Sequence, residues 1–448
     1  MTLEYLRRVG SRNGHHAITV SRRVTRIAVA VAIGVAIYLA VLAAKVGAGG
    51  QLPDTYFDER SQPAIDYATR PPDDPIAQLN RKLQSGQVTL AFEPGSGYLR
   101  SVLAALSIPV ESQIAVFSKT SVQAPLINPG NPRSIFFSDA VVMAWPRGGL
   151  IEAAAIDSQL GAIFYALNQQ PGPVPQFIRS ERCTTCHQSG ETLGVPGMLL
   201  RSAPTRADGR AMPQRGNYVT DHRSPLSERW GGWYVTGHAA GGAHLGNAVV
   251  TEENQPESAV TSQSPGLMTL KDRFDTTGYL STYSDIAALM VFDHQMQMST
   301  LLTRISWEAR AASQSDVDAL LREAAREVVD YMLFVDEAAL PGPIEGSSGF
   351  TEWFSERGPR DSRGRSLRQL DLARRLLRYP CSYMIYADAF DALPGTARNA
   401  IYRRMWEILS GQEAGPRYLR LTPDDRRAIV EILRDTKEGL PDYFQSVP

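Results

Sequence analysis

The stretch Ala140-Val141-Val142-Met143-Ala144-Trp145-Pro146-Arg147-Gly148-Gly149-Leu150-Ile151-Glu152-Ala153-Ala154-Ala155-Ile156 reads as two strands joined by a tight link. Branched and aromatic residues fill its arms, and Pro146-Arg147-Gly148-Gly149 supplies the residue types that reverse a chain. Segments 113–117, 134–137 and 162–167 have the same character, so a small antiparallel sheet is expected. Upstream, the pattern predicts helices over 75–83 and 98–106 and a further strand over 88–92. Downstream of Ser284 the apolar period becomes helical. Ser284 and Asp285 can cap a helix reaching about residue 312, and helices are expected over 315–337, 367–377, 397–410 and 423–436. The last is well punctuated, with Thr422 as cap, Pro423 in the first turn and Asp424 and Asp425 at the positive end. The fold class expected is α+β: a small antiparallel-sheet unit over 76–170, then a loop-rich region and a mainly α-helical C-terminal half over 171–448.

Between these halves stands Cys183-Thr184-Thr185-Cys186-His187. Two thiols three positions apart with a histidine directly after form the attachment site for a c-type haem. Each thiol adds across one vinyl group of the porphyrin, and the histidine then lies under the iron as proximal ligand. The competing reading is a redox dithiol, which calls for a thioredoxin-like strand before the motif. Residues 176–182 read instead as polar or helical. In these five residues the chain resembles the cytochromes c, and at large it is similar to big, membrane-anchored bacterial cytochromes with a single haem. The resemblance implies one covalent haem c on Cys183 and Cys186, with His187 on the iron. Cys381 is then the single remaining cysteine, so no intramolecular disulfide is expected, and it reads as a buried free thiol.

Residues 188–267 are rich in Gly, Pro and Ser and hold further candidates for haem contact. Within 220–234, Arg223 and Arg229 can pair with haem propionates, and Trp230 offers flat apolar area with a donor. For the sixth iron position the distal candidates are His294, His222, His244, Met298 and Met212, with Met198 a further thioether. Met212-Pro213 resembles the pair that carries the sixth ligand in many small cytochromes c, and 423–436 is similar to their closing helix. Met290, His294 and Met298 share one helix face at a spacing of four. Core packing is the competing explanation for such a methionine stripe.

Residues 27–44 form an uncharged run preceded by Arg7, Arg8, Arg12, Arg22, Arg23 and Arg26. That pattern predicts a transmembrane helix with a cytoplasmic head over 1–26, a linker over 45–75 and a periplasmic body. A cleaved signal segment is the alternative. Forty-six basic residues balance 47 acidic ones, which gives no basis for a nucleic-acid partner. The hydrophobic fraction of 43% is ample for a core. The expected function is electron transfer to a redox partner protein. The alternative is a haem enzyme of peroxidase or oxygenase type with an open distal site, and a haem-based sensor ranks last.

Overall fold

Strands β1 (Ile114–Val116), β2 (Arg133–Phe137), β3 (Val141–Pro146), β4 (Ile151–Asp157), β5 (Gly161–Leu167) and β6 (Phe177–Arg179) form a meander, seen in a computed structural model that describes residues 62–250, 266–311 and 317–445. With β9 (Trp233–Tyr234) they make a seven-stranded sheet in the order β6-β5-β4-β3-β2-β1-β9, every neighbour antiparallel. Smaller two-stranded ladders pair β7 (Leu200–Ser202) with β8 (Tyr218–Thr220), and β10 (His238–Ala239) with β11 (Ile344–Glu345). The described residues all fall in one compact unit. The sheet draws strands from both sides of residue 170, since β6 and β9 lie beyond it.

Alternation explains why the sheet is covered twice. Phe136, Met143, Trp145, Ala153, Ile163 and Tyr165 point to one face, where helices α1 (Pro75–Gln84) and α2 (Leu99–Ala105) pack. Ile135, Phe137, Val142, Ala154 and Phe164 point to the other, against the long helix α4 (Ile286–Ala311). A sheet buried on both sides needs apolar residues at consecutive positions, and β3 is buried throughout. Each large side chain removed from water there contributes roughly 1.5–3 kcal/mol. Gly161 opens β5 at φ +81°, and a Cβ there would lie 2.3 Å from Thr303 Cγ2, so strand and helix meet only through glycine.

Helix α4 is buried on nearly all sides and is wrapped by α5 (Val317–Met332), α6 (Phe350–Glu356), α7 (Asp388–Asp391) and α8 (Gly395–Leu409). Its start is set by Asp285, whose Oδ1 accepts from the amides of Ala287 and Ala288. Helix α9 (Pro423–Thr436) begins with Thr422 and Asp425 capping each other's backbone amides. The short helix α3 (Thr184–His187) carries the last four residues of the stretch Cys183–His187. The architecture is thus mixed α+β with a helical C-terminal half.

Several local expectations are corrected. The 88–92 segment forms no strand. The 367–377 segment is a tight loop closed by a Leu370–Leu377 bridge, because Asp371 accepts from the amides of Ala373 and Arg374 and turns the chain. Residues 62–74, expected as linker, pack down: Tyr67 is buried and its hydroxyl donates to the Ala162 carbonyl at 2.8 Å. The transmembrane expectation is also corrected: among the described residues no helix is long and apolar enough to cross a membrane. The longest, α4, carries Asp293, Arg304, Glu308 and Arg310, and its burial comes from protein packed around it. The 1–26 and 27–44 segments on which that expectation rested lie outside the described residues.

Candidate functional site

The chain enters the motif from the edge strand β6, turns once through 181–183 and forms the single helical turn of α3. A strand does therefore precede Cys183, where a polar or helical segment was expected. It is an antiparallel edge strand followed by four helical residues, unlike the arrangement a redox dithiol calls for. Cys183 is half-buried, Cys186 is exposed, and both are free thiols. Burial pushes the Cys183 thiol up, the opposite of what an attacking thiolate requires.

His187 is the best-positioned group of the five. Its Nδ1 lies 3.1 Å from the carbonyl oxygen of Gly197. A carbonyl only accepts, so Nδ1 carries the proton and Nε2 keeps its lone pair, the form that ligates a metal. The loop between them is clamped: the Gly197 amide donates to the His187 carbonyl at 2.9 Å, and Ser189 and Thr192 cap one another inside the loop. Gly197 itself is held against α4, where a Cβ would come within 2.6 Å of Thr300 Oγ1. The His187 ring packs on Phe164 of β5, with ring centroids 5.0 Å apart. Burial lowers its pKa, and the Gly197 bond opposes that shift. Arg133 and Glu152, ion-paired at 2.9 Å, lie close enough for both charges to act on the imidazole. Free thiols, a lone pair on Nε2 and a supporting carbonyl suit covalent haem attachment. Gly197, Phe164, Arg133 and Glu152 were not among the sequence candidates. A Pro-Gly pair ten residues after a histidine hints at a returning loop, whereas Phe164, Arg133 and Glu152 arrive only through sheet pairing.

The distal shortlist gathers elsewhere. His222 and His294 face each other with Nδ1 atoms 2.8 Å apart, and His294 Nε2 is 2.7 Å from Ser382 Oγ. Tyr331 and Phe334 stack on both rings. Burial drives His222 far below its usual pKa, helped by His294, and pushes His294 down to about 3. The pair is therefore neutral and shares one proton between its Nδ1 atoms, while His222 Nε2 has no hydrogen-bond partner.

Beside it lies a second buried knot. Arg229 donates to the carbonyls of Ser224 and His222 and reaches Asp293 at 3.5 Å. Trp230 Nε1 and Thr220 Oγ1 donate to the same carboxylate at 3.0 and 2.9 Å. Burial raises Asp293 to about 6 against the pull of these partners. Arg223 pairs with Asp221 and lies over the Tyr331 ring. His244 packs edge-on to Trp230, and burial lowers it to about 4. Met298 is fully buried in the main core, and Met212 packs with Leu245 and Val250 in a small separate cluster. Among the described residues, none of these side chains shares a hydrogen bond, ion pair or ring contact with Cys183–His187.

The structure thus brings together His222, His294, Arg223, Arg229 and Trp230, and holds Cys183–His187 on another set of partners. Among the described residues no group of three or more His, Cys, Asp or Glu side chains is placed to hold a metal ion. No family model, no curated protein and no solved structure matches this chain.

Proposed function

We propose that this chain is a c-type cytochrome that carries one haem on Cys183 and Cys186, with His187 on the iron, and exchanges electrons with a redox partner protein. The observation that carries the reading is the bond from His187 Nδ1 to the Gly197 carbonyl, which leaves Nε2 as the ligating nitrogen beside two free thiols. The haem, when bound, supplies a one-electron couple. This chain's residues attach it, orient the imidazole and set its basicity. The exposure of Cys186 suits a haem whose edge a partner can approach.

A second reading, a haem enzyme with an open distal position, is favoured by one specific observation. His222 and His294 are bonded to each other, and Met212 is buried in a small separate cluster, so these three are engaged away from the motif. Optical spectroscopy of the purified oxidised and reduced protein separates the two. A low-spin spectrum insensitive to cyanide, peroxide and carbon monoxide supports the carrier. A high-spin spectrum that shifts with those ligands supports the enzyme. His187→Ala is expected to abolish the native spectrum in either case, and a His187→Ala protein with an unchanged spectrum would sink both.

A further inference from the structure

The face of the sheet that covers α4 does not end where the helix ends. One cross-strand row on that face runs Ile135, Ala144, Glu152, Ala166, Ile178, fixed by the pairings of β2 with β3, β3 with β4, β4 with β5 and β5 with β6. Its inner end is buried, but Glu152 and Ala166 are partly open and Ile178 is 65% exposed. Ala144 is buried, while the small and partly open Ala166 leaves a shallow ledge between Glu152 and Ile178 where a larger side chain would fill it. The adjacent row contains Phe164, the residue against which His187 packs. The haem motif therefore sits at the border between the helix-covered and the uncovered parts of one sheet face.

The rim of that ledge is apolar. Ser121 donates to the Glu152 carboxylate at 2.8 Å, which brings Val122, 68% exposed, beside it. Gln123 bonds both the amide and the carbonyl of Leu150, which is 40% exposed. Val174 lies 48% exposed in the link from β5 to β6. Exposed side chains of this size are ordinary when scattered, but several flanking one partly open sheet face mark a surface that something can cover. Arg133 stands beside it, on the same face as Ile135, paired with Glu152 and only 15% exposed.

We propose that this ledge is the bed of the haem, with Ala166 and Ile178 under the porphyrin and Arg133 as the group that answers its propionate charge. The inference rests on the cytochrome reading and deepens it. The occupant is argued from the tether, since His187 packs on Phe164 in the row beside Ala166 and both thiols lie within four residues of it in the chain. A flat apolar ring edged by carboxylates also matches a small-residue ledge with an apolar rim and one arginine. Arg223 and Arg229, the arginines expected from the sequence for this role, have their donors engaged with Asp221, Asp293 and backbone carbonyls.

The test is hydroxyl-radical footprinting of the full chain with covalent haem, compared with the haem-free Cys183→Ser, Cys186→Ser double variant. Ile178 and Val122 are expected to be protected severalfold in the haem-bearing protein. Leu419, 74% exposed, serves as the unprotected reference. Alongside, Arg133→Gln is expected to lower the reduction potential and Arg229→Gln to leave it unchanged. Pyridine haemochrome analysis reports separately whether haem is attached. If the wild-type chain carries no covalent haem, the cytochrome reading itself falls. If haem is attached while Ile178 and Val122 react as fast as in the haem-free variant, the bed lies elsewhere and this proposal is overturned. Should the double variant fail to fold, Ala166→Trp decides the same question: filling the ledge should shift the Soret band of the attached haem, and an unchanged band overturns the proposal.

Discussion

The imidazole of His187 is held by one bond whose acceptor, the Gly197 carbonyl, belongs to a residue with no room for a side chain. Thr300, the neighbour that blocks it, is itself committed, its hydroxyl donating to the Met296 carbonyl at 3.1 Å. Gly197→Ala must therefore displace either Thr300 or the carbonyl, and the carbonyl moves on the more pliant loop. A longer Nδ1–H···O bond makes Nε2 less basic, which on the proposed cytochrome reading would disfavour the oxidised iron. The reduction potential of the haem-bearing Gly197→Ala protein is expected to rise, measured by spectroelectrochemical titration. An unchanged potential with unchanged thermal stability would mean that the bond plays no part. The opposite pattern is expected at the buried histidine pair. His222→Ala leaves His294 Nδ1 without its partner and opens a cavity beside Tyr331 and Phe334, at a cost of about 3 kcal/mol. On the proposed cytochrome reading, the haem spectrum should stay as it was. A changed spectrum with little loss of stability would restore His222 to the coordination sphere.

Elements whose signals are local were legible in the sequence, and those made by distant partners were not. The β3–β4 hairpin, the start of α4 at Asp285 and the Thr422 cap of α9 are all written in contiguous residues. The 367–377 segment has a helix-like apolar period, yet Asp371 turns it, and its Leu372 and Leu376 are buried within a loop. Candidate site residues divide in the same way. Cys183, Cys186 and His187 are contiguous, whereas the surroundings of His187 come from β2, β4, β5 and a loop after it. His222 and the arginines of the 220–234 stretch looked available for haem because burial and pairing are invisible one residue at a time. The two helix caps test how much such local signals are worth in place. Thr422 and Asp425 are surface partners, so Thr422→Ala should cost about 1 kcal/mol. Asp285 is fully buried and also accepts from the amides of Ser347 and Ser348 at 2.6 and 2.7 Å. Removing it orphans donors from two elements, and Asp285→Ala should cost about 4 kcal/mol. Urea midpoints at constant slope measure both, and equal losses would show that Asp285 acts as a cap alone.

At the scale of the whole molecule, the core around α4 is unusual in holding titratable groups on both sides of neutrality. His222, His294 and His244 are kept neutral by burial, while burial lifts Asp293 to about 6 and Glu337 to about 7. These two sets oppose each other in acid. A histidine whose folded pKa is depressed takes up a proton on unfolding, so its contribution to stability is lost as pH falls through the unfolded value of about 6.5. A carboxyl whose folded pKa is raised does the reverse: the folded state holds the extra proton, and stability falls as pH rises from about 4 toward the folded value. Asp293 should therefore offset part of the acid sensitivity that the histidines create, and this can be isolated. Asn at 293 resembles the protonated acid: its one oxygen can accept from Trp230 Nε1, and its NH2 can donate to the Thr220 hydroxyl, which can turn to the Leu200 carbonyl. Relative to wild type, Asp293→Asn is expected to gain stability steadily between about pH 4 and pH 6, by an amount on the order of 3 kcal/mol, and then to level off. Thermal unfolding of both proteins across that range is the measurement. The difference in Tm should climb in the variant's favour with rising pH. A flat difference would mean that Asp293 titrates in the folded chain much as it does in the unfolded one, with Arg229 fully offsetting its burial.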